Sequence, residues 1–317
     1  GKAQRLDFYD PHHLTAARAR FDDLSTSAPR DPFERIVAAS PAAAALTRWK
    51  AAFDAGDWEG MRSLCAAGMV FEDRRRFMQL SGDAELMIAS ARERTRVGAR
   101  PESSFVGTAG DRVAIGRTLW TGGPADGRFE IEYLALAEVD ERGRFLAIVF
   151  FDADDIRGAQ REAWARWAAI DPSVADITVQ LGEVIDGWNE KDLQRLRAVF
   201  AEDIVVEDHR RTGTGRSEGR EEYLRSVTAL WELAPESRID GGWFWLASAP
   251  HGGVYELRRR GTLPGGGELV SDDLVVFVSE RGLVTRMELF EMDATDVALA
   301  RFEELDPASL QGQPRRS

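Results

Sequence analysis

Two strand ends in this chain carry the residue types that could do chemistry. "VVEDHRR" (205–211) sets Glu207, Asp208, His209, Arg210 and Arg211 directly after two β-branched residues, and "VFEDRRR" (70–76) repeats the shape. Side chains alternate along a strand, so Val206, Asp208 and Arg210 share one face while Glu207, His209 and Arg211 share the other. If the Asp208 face is the concave one, Asp208 and Arg210 share the pocket, and the earlier copy sets Asp73 and Arg75 at the same spacing. A carboxylate against apolar walls has a raised pKa and can serve as an acid or base, whereas an adjacent arginine lowers the pKa and holds the group ionised. Two readings follow: an acid–base or ligand-gripping pair, or a structural ion pair closing the end of a domain. His209 beside Asp208 would suit a proton shuttle, but alternation sends it to the opposite face, toward solvent or packing. No two of the four histidines are spaced as a metal pair, and Cys65 stands alone, so neither a metal site nor a cofactor is expected.

Aromatic residues are the other candidates for a pocket. Tyr223, Trp231, Trp243, Trp245 and Tyr255 fall in the later copy; Phe77, Trp120 and Tyr133 are their counterparts in the earlier one. Trp243 and Trp245 lie on one strand face, which suits a ligand wall or a core.

The elements that position these residues come in two copies. Shifted by 135 residues, "LTRWKAAFDAGDWEGMRSLCAAGMVFEDRRR" (46–76) lies without gaps on "LGEVIDGWNEKDLQRLRAVFAEDIVVEDHRR" (181–211). So long a period implies that each copy is a domain rather than a solenoid unit. A shorter strand–Asp–helix pattern occurs three times, at 6–21, 148–163 and 288–305, with Asp10, Asp152 and Asp293 where helix caps belong. The last two close the long repeats. The first, arriving directly after an initial Gly, reads as the end of a preceding repeat and the chain as a fragment. In the later copy apolar spacing predicts helices near 174–189, 192–201 and 219–234. Strands are expected near 204–209, 242–248, 253–262, 268–278 and 283–291, separated by Gly- and Pro-rich turns. Helices first and meandering strands after them predict an α+β fold.

Composition narrows the function. The chain has 317 residues, 44% of them hydrophobic, with nine Trp and sixteen Phe, enough for two cores. A net charge of −13 argues against nucleic-acid or anionic-membrane partners. One cysteine suits a reducing cytoplasm, and no apolar run of about 18 residues suggests membrane insertion.

This order of elements, with charge at the end of the first strand, resembles the SnoaL-like branch of the nuclear transport factor 2-like superfamily. The resemblance covers nearly all of 41–156 and 173–305. It implies two tandem cone-shaped domains, each a curved antiparallel sheet wrapped around helices with a pocket open at one end. "DHRRTGTGRSEG" followed by "LWELAPESRI" is similar to repeats near the C-termini of large actinobacterial signalling proteins. Ketosteroid isomerase, another member of the superfamily, implies a general base at Asp208 and Asp73 and a second, protonated acid near Asp273. In the first copy that second position falls at Leu134 or, with a one-residue slip, at Tyr133. The isomerase's oxyanion tyrosine would fall at Val184 or Trp49, so the steroid reaction itself is not implied.

The expected organisation is a strand–helix remnant at 1–26, a linker at 27–40, domains at 41–170 and 173–305, and a flexible tail at 306–317. The candidate catalytic residues are Asp208, Asp273 and Asp73. Arg210, His209, Tyr255, Trp243, Trp245, Arg75, Tyr133 and Trp120 are the candidate ligand contacts. The expected function is a small-molecule-binding module of a longer regulatory chain, the two copies forming an internal pseudo-dimer and homodimers being compatible. A proton-transfer isomerase, cyclase or epoxide hydrolase is the alternative. The later copy, with two acids, Tyr255 and a Trp-rich strand, is expected to hold the better pocket.

Overall fold

Short polar side chains start most of the helices. The Ser40 hydroxyl accepts from the Ala43 amide, and Pro41 takes the first turn of α1 (Pro41–Asp54), where its missing N–H is no loss. Asp57 caps α2 (Trp58–Ser63) and Asp83 caps α3 (Ala84–Arg96) in the same way. The structure, a computed structural model, describes residues 36, 37, 39–123 and 127–306. Segment 1–26, residues 27–35 of the expected linker and the tail beyond Asp306 lie outside them.

The first repeat continues with β1 (Cys65–Asp73), β2 (Leu80–Gly82), β3 (Arg100–Ala109), β4 (Val113–Gly122), β5 (Phe129–Val139) and β6 (Phe145–Asp152). After α4 (Ile156–Ile170) the pattern recurs. Helices α5 (Ala175–Glu190), α6 (Leu193–Val199) and α7 (Arg220–Leu233) accompany β7 (Phe200–Asp208) and β8 (Gly215–Glu218). Then come β9 (Arg238–Ala249), β10 (Gly252–Thr262), β11 (Glu268–Glu280), β12 (Leu283–Glu291) and α8 (Thr295–Glu304).

The strands form two six-stranded sheets of matching order, β2-β1-β6-β5-β4-β3 and β8-β7-β12-β11-β10-β9. This is the expected α+β arrangement, with one refinement: the sheets are mixed. β1 runs parallel to β6, and β7 to β12, while the remaining pairs are antiparallel. The helix between β2 and β3 sets the direction of the meander, and its odd number of reversals brings the last strand alongside the first in the same sense.

Two expected caps sit elsewhere. Asp155, not Asp152, accepts from the Gly158 amide at the start of α4. Asp152 instead accepts from the backbone N–H of Arg76, and Glu291 accepts equivalently from Arg211, both at 3.1 Å. These carboxylates tie the loop after the first strand to the end of the last. Asp293 lies 3.8 Å from the Arg211 guanidinium, and Ala294 occupies the cap position of α8 without a side-chain bond.

In the central strands of each sheet alternation gives two buried faces. In the first sheet Phe71, Trp120, Tyr133, Ala137, Ile148 and Phe150 face α1 and α3. On the reverse, Val113, Ile115, Leu134, Leu136, Val149 and Phe151 join Trp164 and Trp167 of α4 and the core of the second repeat. The two sheets approach where β3 meets β9: a Cβ on Gly107 would lie 2.6 Å from the Trp243 carbonyl oxygen. No helix among the described residues is long and apolar enough to cross a membrane.

Candidate functional site

Both charged strand ends resolve into the same clamp. Arg210 Nε lies 2.8 Å from Asp208 Oδ1 and Nη2 lies 2.7 Å from Oδ2. Arg75 grips Asp73 in the same two-pronged way at 2.8 and 2.5 Å. A guanidinium two residues along the chain fits a carboxylate in this bidentate geometry. In the second repeat the clamp extends: Arg210 Nη1 reaches Asp273 at 2.8 Å and Ser271 at 3.0 Å, and the Thr214 amide donates to Asp208 at 3.1 Å. Burial pushes the Asp208 carboxyl up, but hydrogen bonds from Arg210 and the Thr214 amide outweigh it and hold the group below the usual carboxylate range. A carboxylate held ionised in this way makes a weak general base.

Strand register aligns the repeats more finely than sequence does. Asp73 pairs with Phe150 and Asp208 with Leu289; from these, Ala135 matches Val275 and Tyr133 matches Asp273. The first repeat thus carries Tyr133 in the place of the second acid. There the Arg75 guanidinium stacks 5.0 Å from the Tyr133 ring centre, so a cation–π contact replaces the second ion pair.

The same register locates the open space. Gly116 matches Tyr255, and Ala137 matches Phe277. Where the second repeat inserts two aromatic rings, the first has a hydrogen and a methyl group. A cavity of about 230 Å³ opens there, between Trp49, Phe53, Met87, Arg94, Trp120 and Tyr133, with Gly116, Ala135 and Ala137 as its floor. In the second repeat a gap of about 10 Å³ remains among Leu181, Val184, Tyr255, Phe277, Val284 and Met287. The expectation that the second repeat holds the better pocket is therefore corrected: its aromatic residues fill the interior instead of lining a space.

The singled-out residues divide accordingly. Trp120 and Tyr133 line the large cavity, and Trp120 Nε1 donates to the Tyr133 hydroxyl at 2.9 Å. Asp73 and Arg75 are buried beside it without reaching its wall. Tyr255 packs on Trp245, which meets Trp167 of α4 edge-on at 5.3 Å, and Trp243 Nε1 donates to Asp240. Both tryptophans thus serve the junction between the repeats. Phe77 is 96% exposed.

His209 occupies the outer face, stacked on Phe290 with Nε2 3.0 Å from Glu288. Glu207, His209 and Glu288 bring three ligand atoms within 4.8 Å of one another, a spacing that fits a cation. Guanidinium groups already neutralise it: Arg286 bonds both glutamates, Arg301 bonds Glu288 and Arg216 bonds Glu207. Burial pushes the Cys65 thiol up to about 11, so it is not a ready nucleophile at neutral pH.

Inspection of charged motifs missed Arg94, Gly116, Ala135 and Ala137. For Ala135 and Ala137 a signal was present in the sequence: "YLALA" (133–137) set against "DLVVF" (273–277) shows the loss of bulk at alternate positions.

Residues 181–287, most of the second repeat, match the family model of the SnoaL-like domain. No curated protein matches the chain. Several solved structures each cover little more than a third of it. A protein of unknown function with a nuclear transport factor 2-like fold, from Burkholderia pseudomallei, is 19% identical over 39% of this chain and 96% of its own, with a TM-score of 0.33. A candidate polyketide cyclase from Sinorhizobium meliloti is 21% identical over 35% of this chain and 92% of its own, at 0.29. A Catenulispora acidiphila protein with a ketosteroid isomerase-like fold, solved with trimethylamine, is 14% identical over 35% of this chain and 83% of its own, at 0.31.

Proposed function

We propose, from the SnoaL-like domain that this chain contains and the hollow repeat beside it, that the protein binds a small molecule in its first repeat without transforming it. The cavity carries this reading: about 230 Å³ lined by apolar and aromatic walls with a few polar groups, as ligand sites are built. The carboxylates that would serve proton transfer are placed otherwise. Asp73 lies outside the cavity wall, and Asp208 and Asp273 share one guanidinium in the filled repeat. In this reading the second repeat is the structural partner of a pseudo-dimer joined through α4. A sensor role within a longer regulatory chain is the finer part of the proposal, supported by the resemblance of residues 208–219 to repeats in signalling proteins.

The test is a thermal-shift screen of aromatic and alicyclic compounds on the wild type and on Ala137→Phe, which restores the bulk found at Phe277. A ligand at a hundred times its Kd should stabilise the wild type by about 2.7 kcal/mol and leave the variant unmoved. Equal shifts in both proteins would place the ligand elsewhere, and turnover of a bound compound would overturn the non-catalytic reading.

A further inference from the structure

The wall of this cavity is charged in one sense only. The chain carries 54 Asp and Glu residues against 41 Lys and Arg. Yet the described residues lining the cavity include no Asp or Glu, and its charged groups are Lys50 and Arg94. Lys50 sits at the exposed rim, 2.6 Å from Asp54 on the same helix. Arg94 is half-buried. One of its nitrogens donates to Ser90 Oγ at 3.1 Å, and its guanidinium lies 5.1 Å from the Trp120 ring centre and 6.0 Å from that of Tyr133. Among the described residues no carboxylate stands within ion-pairing distance of it. A guanidinium against apolar walls is costly until an anion meets it.

Tyr133 gives an independent sign of the same need. It is 4% exposed, and its oxygen accepts from Trp120 Nε1, but its own O–H meets no acceptor among the described residues. Buried donors are normally satisfied. Burial pushes the phenol up, so it stays a donor at neutral pH. In the second repeat the matching position holds Asp273, a carboxylate of the protein itself, bonded to Arg210. The first repeat has exchanged that internal anion for a donor and left room above it.

We infer that the cavity takes a small monoanion with a flat apolar body, an aromatic carboxylate, held by the Arg94 guanidinium and the Tyr133 hydroxyl. The inference rests on the proposed binding function and specifies its ligand. Phe53 and Trp120, edge to face at 5.4 Å, shape the wall against which the ring packs. A dry cavity of about 150 Å³ accepts benzene, so about 230 Å³ suits a one- or two-ring acid.

The probes are 2-naphthoate and its neutral analogue 2-naphthalenemethanol, titrated calorimetrically at pH 7 into the wild type, Arg94→Met, Arg94→Lys and Tyr133→Phe. Charge-assisted hydrogen bonds predict that the wild type prefers naphthoate by about tenfold to a hundredfold. Arg94→Met should lose that preference while binding the alcohol as before. Arg94→Lys keeps the charge without the fork and should weaken naphthoate alone by several-fold, which preserves the test if Arg94→Met fails to fold. Tyr133→Phe should likewise weaken the acid more than the alcohol. Equal affinity of the wild type for the two probes, or a preference surviving in Arg94→Met, overturns the anion inference and leaves the cavity function standing. Binding of neither probe to the wild type overturns both.

Discussion

Removal of Arg210 tests the clamp where it is most heavily used. The Asp208 and Asp273 side chains are 5% and 4% exposed, and one guanidinium, 17% exposed, holds both. Arg210→Met deletes two charge-assisted bonds to Asp208 and one to Asp273. At about 1.5–3 kcal/mol each these would sum to well over 4 kcal/mol. Protonation limits the loss, because raising one carboxyl from about pH 4 to neutrality costs about 4 kcal/mol at 1.36 kcal/mol per pH unit. The expected destabilisation at pH 7.5 is therefore about 3–5 kcal/mol, the range for breaking a buried pair. Its pH dependence has a definite sign. In the wild type the Asp208 pKa is depressed, so its contribution is present above the unfolded value and lost as pH falls through the folded one. Without Arg210 burial dominates and the folded pKa rises, so the variant should be weakest at high pH and recover toward pH 5. Urea unfolding of both proteins at pH 5 and pH 8 measures this. A loss under about 1 kcal/mol at pH 8, or a loss that grows on acidification, would refute the claim that the guanidinium compensates two buried charges.

Two further predictions concern single residues. Burial pushes Glu256 up to about 7, with Arg258 as its partner, so stability should fall by about 3 kcal/mol as pH rises from the unfolded value through 7; Glu256→Gln should flatten that limb and be the more stable protein at pH 8.5, read by thermal unfolding. Asp155→Ala should cost about 1 kcal/mol as a lost helix cap, read by chemical denaturation, whereas a cost within 0.3 kcal/mol of zero would deny the capping role.

The fold was legible in the sequence because it is written twice. A gapless match through residues 46–76 and 181–211 fixed two helices and the first strand of each copy, and turn residues marked the meander. The clamp was legible too, since strand alternation alone places Asp208 beside Arg210. The cavity was hidden because reasoning from charged motifs looks for what is present, and a cavity is made by what is small. Gly116 and Ala137 are unremarkable alone and acquire meaning only when register sets them against Tyr255 and Phe277. Arg94 was hidden for a related reason: it sits in a helix segment rich in charged residues, "ARERTR", where one arginine turns inward and the pattern does not say which.

This hollowing has an energetic consequence that can be measured. A closed empty space destabilises a core by about 24 cal/mol per Å³, so about 230 Å³ sets an upper bound of roughly 5.5 kcal/mol for the first repeat, and the opening of the cavity to solvent lowers the figure. The gap of about 10 Å³ beside Tyr255 and Phe277 in the second repeat bears almost none of that cost. Ala137→Phe fills the space with the residue that the same strand position carries at Phe277. Its backbone partners, Ala114 and Ile148, already match the small Gly253 and the large Met287 of the filled copy. Filling a cavity commonly contributes about 0.5–2 kcal/mol, so the variant should melt higher than the wild type while losing the thermal shift given by ligands. Stability gained together with binding lost is the signature of a site kept empty at the expense of the fold. If Ala137→Phe instead lowers the melting temperature and still binds, the space is not where register places it, and the division between a hollow first repeat and a solid second one is wrong.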